Sequence, residues 1–501
     1  MDELTGAAMD DPTPVRPSLA TLDRLPTGVE RPRYARADLA PGIVHIGLGN
    51  FHRAHMAWYA HRLMQEGRAL DWAIVGAGVR PADAAMRDRL AAQDYLTTLI
   101  QLDPEEARVE VTGAMTGFAE VAPGNGPLIA AMADPRVRIV SLTVTEGGYF
   151  RDAAGAFDAG HPDVAHDAAH PDRPRTAFGA IVAALRARRA AGGAAFTGLS
   201  CDNLQGNGAA LGAAVVTLAA MQDPALARWI EGEAAFPDSM VDCIVPATGP
   251  REVAMARAAG IADAAPVTHE RFRQWVIEDR FAAGRPPWDA AGATFAGDVR
   301  PYEEMKLRLL NAGHQLLANA GELLGIETIA GCMADRDVAG FLRRTLLDEV
   351  APHVHAVPGR TAEGYVALIE GRFANPTIHD TVRRVAFDGS SRHPGFVLPS
   401  VRDALAAGAP LAGLALAEAL WCRMCEGVRE DGTAVAPNDP HWDARRAAAR
   451  AARDDPAAWL AQGDVYGDLA AAEPFAGAFA AALTTVRADG VRAAIRSHLA
   501  R

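Results

Sequence analysis

Lysine is nearly missing from this sequence. Lys306 is the one lysine in 501 residues, and every other residue in the Lys+Arg total of 49 is arginine. Arginine carries the same charge, but its guanidinium does not give up a proton near neutral pH, whereas a lysine amine does. The bias therefore marks position 306 either as a site that needs a removable proton or as a remnant of arginine-rich codon usage.

Other scarcities exclude whole classes. Five cysteines, Cys201, Cys243, Cys332, Cys422 and Cys425, are odd in number and scattered, which excludes a disulfide framework. Cys422 and Cys425 form a CxxC pair, but in the helical setting WCRMC and without a second pair it predicts neither zinc nor thiol redox chemistry. Positive charge is in deficit: 62 acidic against 49 basic residues leave a net charge of −13, which argues against nucleic acid or an anionic membrane as partner. No unbroken apolar run reaches the ~18 residues of a membrane span. The acidic start MDELTGAAMDDPTP has no apolar core, so no signal peptide is expected and the cytoplasm is the expected compartment.

What is present is a soluble, alanine- and glycine-rich chain, 50% hydrophobic and 6% aromatic, long enough for two substantial domains. An irregular arm is expected over 1–40. The run Ile43-Val44-His45-Ile46 leads into GLGNFHRAH and a helical pattern reaching about Met64. Strand, glycine turn and helix in that order begin a dinucleotide-binding unit, in which backbone N–H groups receive pyrophosphate. Gly47 and Gly49 fit that pattern, but the third glycine is replaced by His52.

A second strand is predicted over 72–76, with Asp83 beyond its carboxyl end, where a ribose-binding acid belongs. A buried strand over 137–144 runs into Thr145, at the mouth of the cofactor site. The segment HPDVAHDAAHPD places His161, His166 and His170 close together, and its prolines predict a solvated loop rather than a metal site. After a helix over 176–191, a strand over 195–200 delivers Asn203 to the edge where open α/β sheets bind ligands. A long helix is expected over 209–233. The apolar run over 240–246 carries Asp242, and 272–288 reads as a connector. Beyond about 298 the pattern is helical.

The stretch YEEMKLRLLNAGHQLLANAGELLG, 302–325, reads as one amphipathic helix. At about 100° per residue, Asn311 lies about 140° and His314 about 80° round from Lys306, on one broad face. Leu309, Leu310, Leu316, Leu317 and Leu323 bury the helix beside those polar groups.

The stretches GLGNFHRAH, SLTVTEGGY, SCDNLQGNG, MVDCIVP, QWVIEDRF, PYEEMKLRLLNAGH and FDGSSRHPGF occur in this order along the chain. In them the chain resembles the polyol-specific long-chain dehydrogenases, the mannitol dehydrogenase family, over essentially its full length. The resemblance implies an α/β fold with a Rossmann-like NAD-binding domain over 41–298, a mainly α-helical substrate domain over 299–501, a site between them and no metal. It implies a cofactor, NAD rather than NADP, held by Gly47, Leu48, Gly49, Asn50, Phe51 and Thr145, with Asp83 at the position associated with that preference. It implies Lys306 as catalytic base, Asn203 and Asn311 as donors to the reacting oxygen, and His314 as a substrate-orienting neighbour. Asp242, Arg384 and Arg392 would bind substrate and Glu303 would relay protons. Arg392 departs from the lysine of related enzymes.

The implied reaction is oxidation of a linear polyol, D-mannitol to D-fructose, and its reverse, by a monomer or small homo-oligomer. A base at Lys306 would need its pKa lowered by about 2–3 units from about 10.4, a cost near 3–4 kcal/mol. Three other readings compete. Hexuronate reductases such as fructuronate reductase share these motifs. Tyr302 and Lys306 match the YxxxK pair of short-chain dehydrogenases. A non-catalytic NAD(H) sensor would bind the cofactor and turn over no polyol.

Overall fold

The computed structural model describes residues 13–105, 108–152 and 155–500. They divide into two compact units, Met1–Val299 and Arg300–Arg501.

The first unit is built on a five-stranded sheet of Pro41–Ile46, Ala73–Ala77, Met115–Phe118, Ile139–Leu142 and Thr197–Ser200. Numbered along the chain, these strands lie in the order 3-2-1-4-5, and every neighbouring pair is parallel. This is the doubly wound arrangement, whose ligand crevice opens at the carboxyl ends where the order reverses, between the first and fourth strands. Both faces are covered, so the strands are apolar on both sides. Ile43 and Ile139 point into a core with Tyr59, Leu63 and Trp275. Their neighbours Val44 and Val140 point the other way, onto Phe178, Ile181, Leu211 and Val215.

Two smaller sheets complete the unit. Gln274–Glu278 pairs antiparallel with Ser239–Asp242 and parallel with Thr294–Ala296, so the expected connector contains a sheet strand. Thr97–Leu102 lies between Arg108–Thr112 and Val267–Glu270. The arm over 13–40 is tied down where Val15 exchanges backbone hydrogen bonds of 2.8 and 2.9 Å with Gly260 and Ala262.

Several other expected elements differ. The long helix over 209–233 is two helices, Asn207–Gln222 and Pro224–Glu233, because the Asp223 carboxylate caps the second by accepting from the Ala225 amide at 2.8 Å. The expected loop around His166 is a helix, Pro162–Ala169. It is started by Pro162 and pinned by Asp167, whose fully buried carboxylate accepts from the Arg175 amide at 2.7 Å and the Thr176 amide at 2.9 Å. The helix after the glycine turn breaks at His55 into Asn50–Ala54 and Met56–Gln65.

His52 stands where a third glycine would let helix and strand approach closely. Its ring instead fills the gap by stacking on that of His45, with centroids 3.5 Å apart. His45 is held by Ser141 at 2.9 Å and Thr143 at 3.0 Å. Burial pushes the His45 imidazole down to about 3 and also lowers that of His52, so the pair stacks uncharged.

In the second unit the helix Ala412–Cys425 is buried almost all round and packs against Ala312–Leu324 and Glu473–Asp489. The CxxC cysteines lie in this helix, both buried. Its Glu418 accepts hydrogen bonds from Tyr466 and His393, each at 2.7 Å, and the other His393 nitrogen meets Asn319 at 3.1 Å. The amphipathic stretch is not one α-helix. Arg300–Met305 and Ala312–Leu324 are joined by a π-turn, Lys306–Asn311, in which the Ala312 amide reaches five residues back to the Leu307 carbonyl. No helix among the described residues is long and apolar enough to cross a membrane.

Gly47 has φ of +92°, and a Cβ there would lie 2.1 Å from the Thr143 carbonyl oxygen. We expect Gly47→Ala to destabilise the first unit by at least about 2 kcal/mol, read as a lower midpoint in denaturant unfolding; an unchanged midpoint would show that the turn tolerates a side chain.

Candidate active site

In the first unit the predicted residues gather at the carboxyl ends of the central strands. Gly47 and Leu48 leave the first strand, and Gly49 precedes the short helix Asn50–Ala54. A Cβ on Gly49 would meet nothing within 4 Å, so the backbone is open to a close-lying group. The Asn50 side chain is committed to the protein: its amide donates to Pro246 O at 3.0 Å and Thr248 Oγ1 at 2.8 Å, and its oxygen accepts from Arg53 at 2.7 Å. Asn50 therefore has its backbone N–H to offer. The Phe51 ring stacks on His55 at 4.8 Å.

Thr145 follows the fourth strand with φ of +67°, a strained conformation for a β-branched residue. Asp202 holds it there. The Asp202 carboxylate accepts from the Thr145 amide at 2.8 Å, the Val144 amide at 3.2 Å and the Tyr149 hydroxyl at 3.0 Å. Asn203, next in the chain and just past the fifth strand, is exposed. Asp242 ends the strand Ser239–Asp242 and is 6% exposed.

Asp83 lies beyond the second strand, closing the turn Pro81–Asp83. Its Oδ2 accepts from the Val79 amide at 3.0 Å and the Arg80 amide at 2.9 Å. Its Oδ1 accepts no hydrogen bond from the described residues, which suits a carboxylate that receives ribose hydroxyls. Strained Thr145, open Gly49 and half-engaged Asp83 fit a dinucleotide along this edge.

In the second unit Lys306 is 8% exposed at the start of the π-turn, and Asn311 is at its end. Bonding from i to i+5 brings residue 311 nearer the azimuth of 306 than the about 140° of a regular α-helix. Glu303 lies one turn before Lys306 and is 5% exposed. Tyr302 belongs to this second unit, not to the dinucleotide unit that carries the YxxxK tyrosine of short-chain enzymes.

His314 is half-buried and stacks on Phe373 at 4.2 Å. Its Nε2 is shielded from solvent and has no hydrogen-bond partner among the described residues. Burial pushes this imidazole down to about 3; the Asp380 carboxylate acts the other way, and the guanidinium groups of Arg384, Arg372 and Arg392 add to the depression. The fold thus gathers these charged groups around His314.

Arg384 forms a two-pronged pair with Asp380, at 2.7 and 2.6 Å. Arg392 donates to the Val385 carbonyl at 2.5 Å. Asp380, Arg372, Phe373 and Asp202 escape sequence reasoning because each acts on a residue remote in the chain or on the backbone. Among the described residues no group of three or more His, Cys, Asp or Glu side chains is placed to hold a metal ion.

Known proteins share this architecture. Residues 41–290 match the model of the mannitol dehydrogenase Rossmann domain, and residues 298–487 that of the mannitol dehydrogenase C-terminal domain. A mannitol 2-dehydrogenase of Cereibacter sphaeroides is 55% identical over 472 residues, 94% of this chain and 99% of that protein. A polyol:NADP oxidoreductase of Gluconobacter oxydans is 39% identical, over 95% of this chain and 99% of its own. The Pseudomonas fluorescens mannitol 2-dehydrogenase, solved as a ternary complex with NAD and D-mannitol, superposes with a TM-score of 0.86 at 39% identity, covering 97% of this chain and all of that one. Matched in both units and along nearly its whole length, the chain belongs to the mannitol dehydrogenase family.

Proposed function

We propose that this protein oxidises a secondary alcohol of a linear polyol to a ketose and catalyses the reverse reduction, with D-mannitol and D-fructose as the pair. The observation that carries the reading is the shielded, unpartnered Nε2 of His314 on the same helical stretch as the buried Lys306. NAD, when bound, supplies the hydride acceptor.

The chain's own residues handle the proton and the orientation. Lys306 Nζ takes the hydroxyl proton as the C–H bond breaks, and removal from water favours the neutral amine that this step needs. The side-chain amides of Asn203 and Asn311 donate to the oxygen as its charge develops. His314 Nε2 meets a substrate hydroxyl, while Asp242 and Arg392 contact hydroxyls further along the chain of the polyol. Arg384 keeps its carboxylate partner and presents the rest of its guanidinium. Glu303 passes the proton from Lys306 outward. Asp83 favours NAD, since a 2′-phosphate would meet its carboxylate. The enzyme works in the cytoplasm as a monomer or small homo-oligomer.

The engagement of Arg384 with Asp380 favours a neutral polyol over a hexuronate, because a free guanidinium fork is the natural partner of a sugar carboxylate. The kcat/KM for fructose should exceed that for fructuronate; the opposite order would move the chain to hexuronate reduction. In Lys306→Ala, turnover should fall by at least about 100-fold with NADH binding retained. Near-normal turnover in the folded variant would overturn the assignment, and absence of turnover in the wild type would favour a sensor.

Because the His314 imidazole is held at about 3, it is neutral at any pH above about 5. His314→Ala should lower kcat/KM while the shape of its pH profile above that value stays as in the wild type; a lost or shifted limb would assign the titration to His314.

A further inference from the structure

Three residues that face the substrate in the proposed reaction, His314, Arg384 and Arg392, come from three separate segments: the helix Ala312–Leu324 and the short helices Val382–Val385 and Gly389–Arg392. These segments meet at one buried atom. The Val385 carbonyl oxygen, next to Arg384 in the chain, accepts from Arg392 Nη1 at 2.5 Å and from the side-chain amide of Gln315, next to His314, at 3.1 Å. A carbonyl oxygen has two lone pairs, so both donors fit on it at once. As the last residue of its helix, Val385 also has a carbonyl with no partner inside that helix. Val385 and Gln315 are each 1% exposed, which keeps the junction out of bulk water.

The polarity of Gln315 comes at a cost. Facing a carbonyl, its amide must present Nε2, since the flipped amide would set two oxygens against each other. Its Oε1 is thereby left buried, with no hydrogen-bond partner among the described residues. A buried amide oxygen without a partner lowers stability, and a methionine of similar length would fill the space without that loss. The donor on Nε2 is what glutamine supplies here and methionine does not.

The backbone around the junction is held independently of that donor. Asn319, one turn on from Gln315, donates to the Gln315 carbonyl at 3.2 Å and to His393 Nε2 at 3.1 Å, and the other His393 nitrogen meets Glu418 at 2.7 Å. His393 follows Arg392 in the chain, and its ring stacks on Trp421 with centroids 4.1 Å apart. The main chain at 392–393 is therefore registered to the helix of His314 whatever side chain stands at 315. What Gln315 adds concerns the far end of Arg392. An arginine side chain has many rotamers, and its guanidinium keeps one direction only while the carbonyl that anchors it stays in place.

We propose that Gln315 is a positioning residue for substrate binding, which fixes the Val385 carbonyl and through it the direction of the Arg392 guanidinium beside His314. The proposal deepens the reading of Arg392 as a substrate ligand and rests on it.

The test measures kcat and KM for fructose, NADH affinity and Tm in the full-length wild type, Gln315→Met, Arg392→Ala and the double variant. Gln315→Met should raise KM about three- to tenfold, with kcat changed by less than about twofold. NADH affinity should be unchanged and Tm equal to or above that of the wild type. In the Arg392→Ala background the same replacement should leave KM where Arg392→Ala alone puts it, because no guanidinium remains to be directed. Gln315→Glu, which keeps the shape of glutamine and when ionised has no donor, carries the same comparison should the methionine variant not fold. Additive effects of the two substitutions on KM, an unchanged KM in the single Gln315 variants, or a joint fall of Tm and kcat would overturn the proposal and leave Arg392 as a substrate ligand. An unchanged KM in Arg392→Ala, or no turnover of fructose by the wild type, would instead refute the reading beneath it and the proposal with it.

Discussion

The second unit holds the chain's one lysine largely buried at the head of a broken helix. Lys306 is 8% exposed, and a long flexible side chain ending in a polar group is held there only if its surroundings are fixed. The fixing is done by backbone irregularity. The π-turn Lys306–Asn311 packs against two others, Leu346–Val350 and His393–Val397, and against the helix that ends at Phe373. Each π-turn breaks the regular i→i+4 ladder and survives because its neighbours hold it. At the start of the third π-turn, His393 is clamped between Asn319 and Glu418 in the core, with Tyr466 on the far carboxylate oxygen and Trp459 donating to Tyr466 at 2.5 Å. Buried polar groups linked in this way strengthen one another, although the Asn319 Oδ1 of this chain has no partner among the described residues. Here the linkage ties the helix that carries His314 to the segment that carries Arg392.

The first unit meets a comparable demand by different means. Gly47 passes so close to the Thr143 carbonyl that no side chain fits, and the Thr143 hydroxyl donates back to the Gly47 carbonyl at 2.7 Å. Two residues on, Thr145 is held at positive φ by the carboxylate of Asp202, which comes from the end of the next strand. Strain at Thr145 is thus balanced by three hydrogen bonds to one buried acid. The crevice edge is shaped by contacts between strand ends, so its geometry follows from the order in which the strands lie.

That order explains what could and could not be read from the chain alone. Alternating strand and helix signals, with the glycine turn after the first strand, announce the Rossmann-like domain because they are local and periodic. The helical second domain is legible for the same reason. His52 misleads, because the glycine rule describes a close approach that this fold replaces with a pair of stacked imidazoles. The π-turn is invisible to periodicity: a period of 3.6 residues assumes the very ladder that is broken at Lys306. Asp202 and Asp380 are ordinary acids in sequence, and their parts become clear only when Thr145 and His314 arrive beside them. The helix Pro162–Ala169 was hidden by its flanking prolines, although a proline at the first helical position starts a helix as readily as it ends one.

The scarcity of lysine takes on a sharper sense beside these contacts. Arginine does the structural work of a cation throughout the chain: Arg188 donates to the Met132 carbonyl at 3.0 Å, Arg445 pairs with Asp464, and Arg487 and Arg453 converge on Glu426. Each of these uses the planar fork, which makes several directed bonds at once and stays charged when half-buried. Such a group is unsuited to a position that must hold and release one proton. An amine on a flexible stem loses in directed bonding what it gains in acid–base range. The proposed proton transfer therefore needs at position 306 the side chain that the rest of the chain does without.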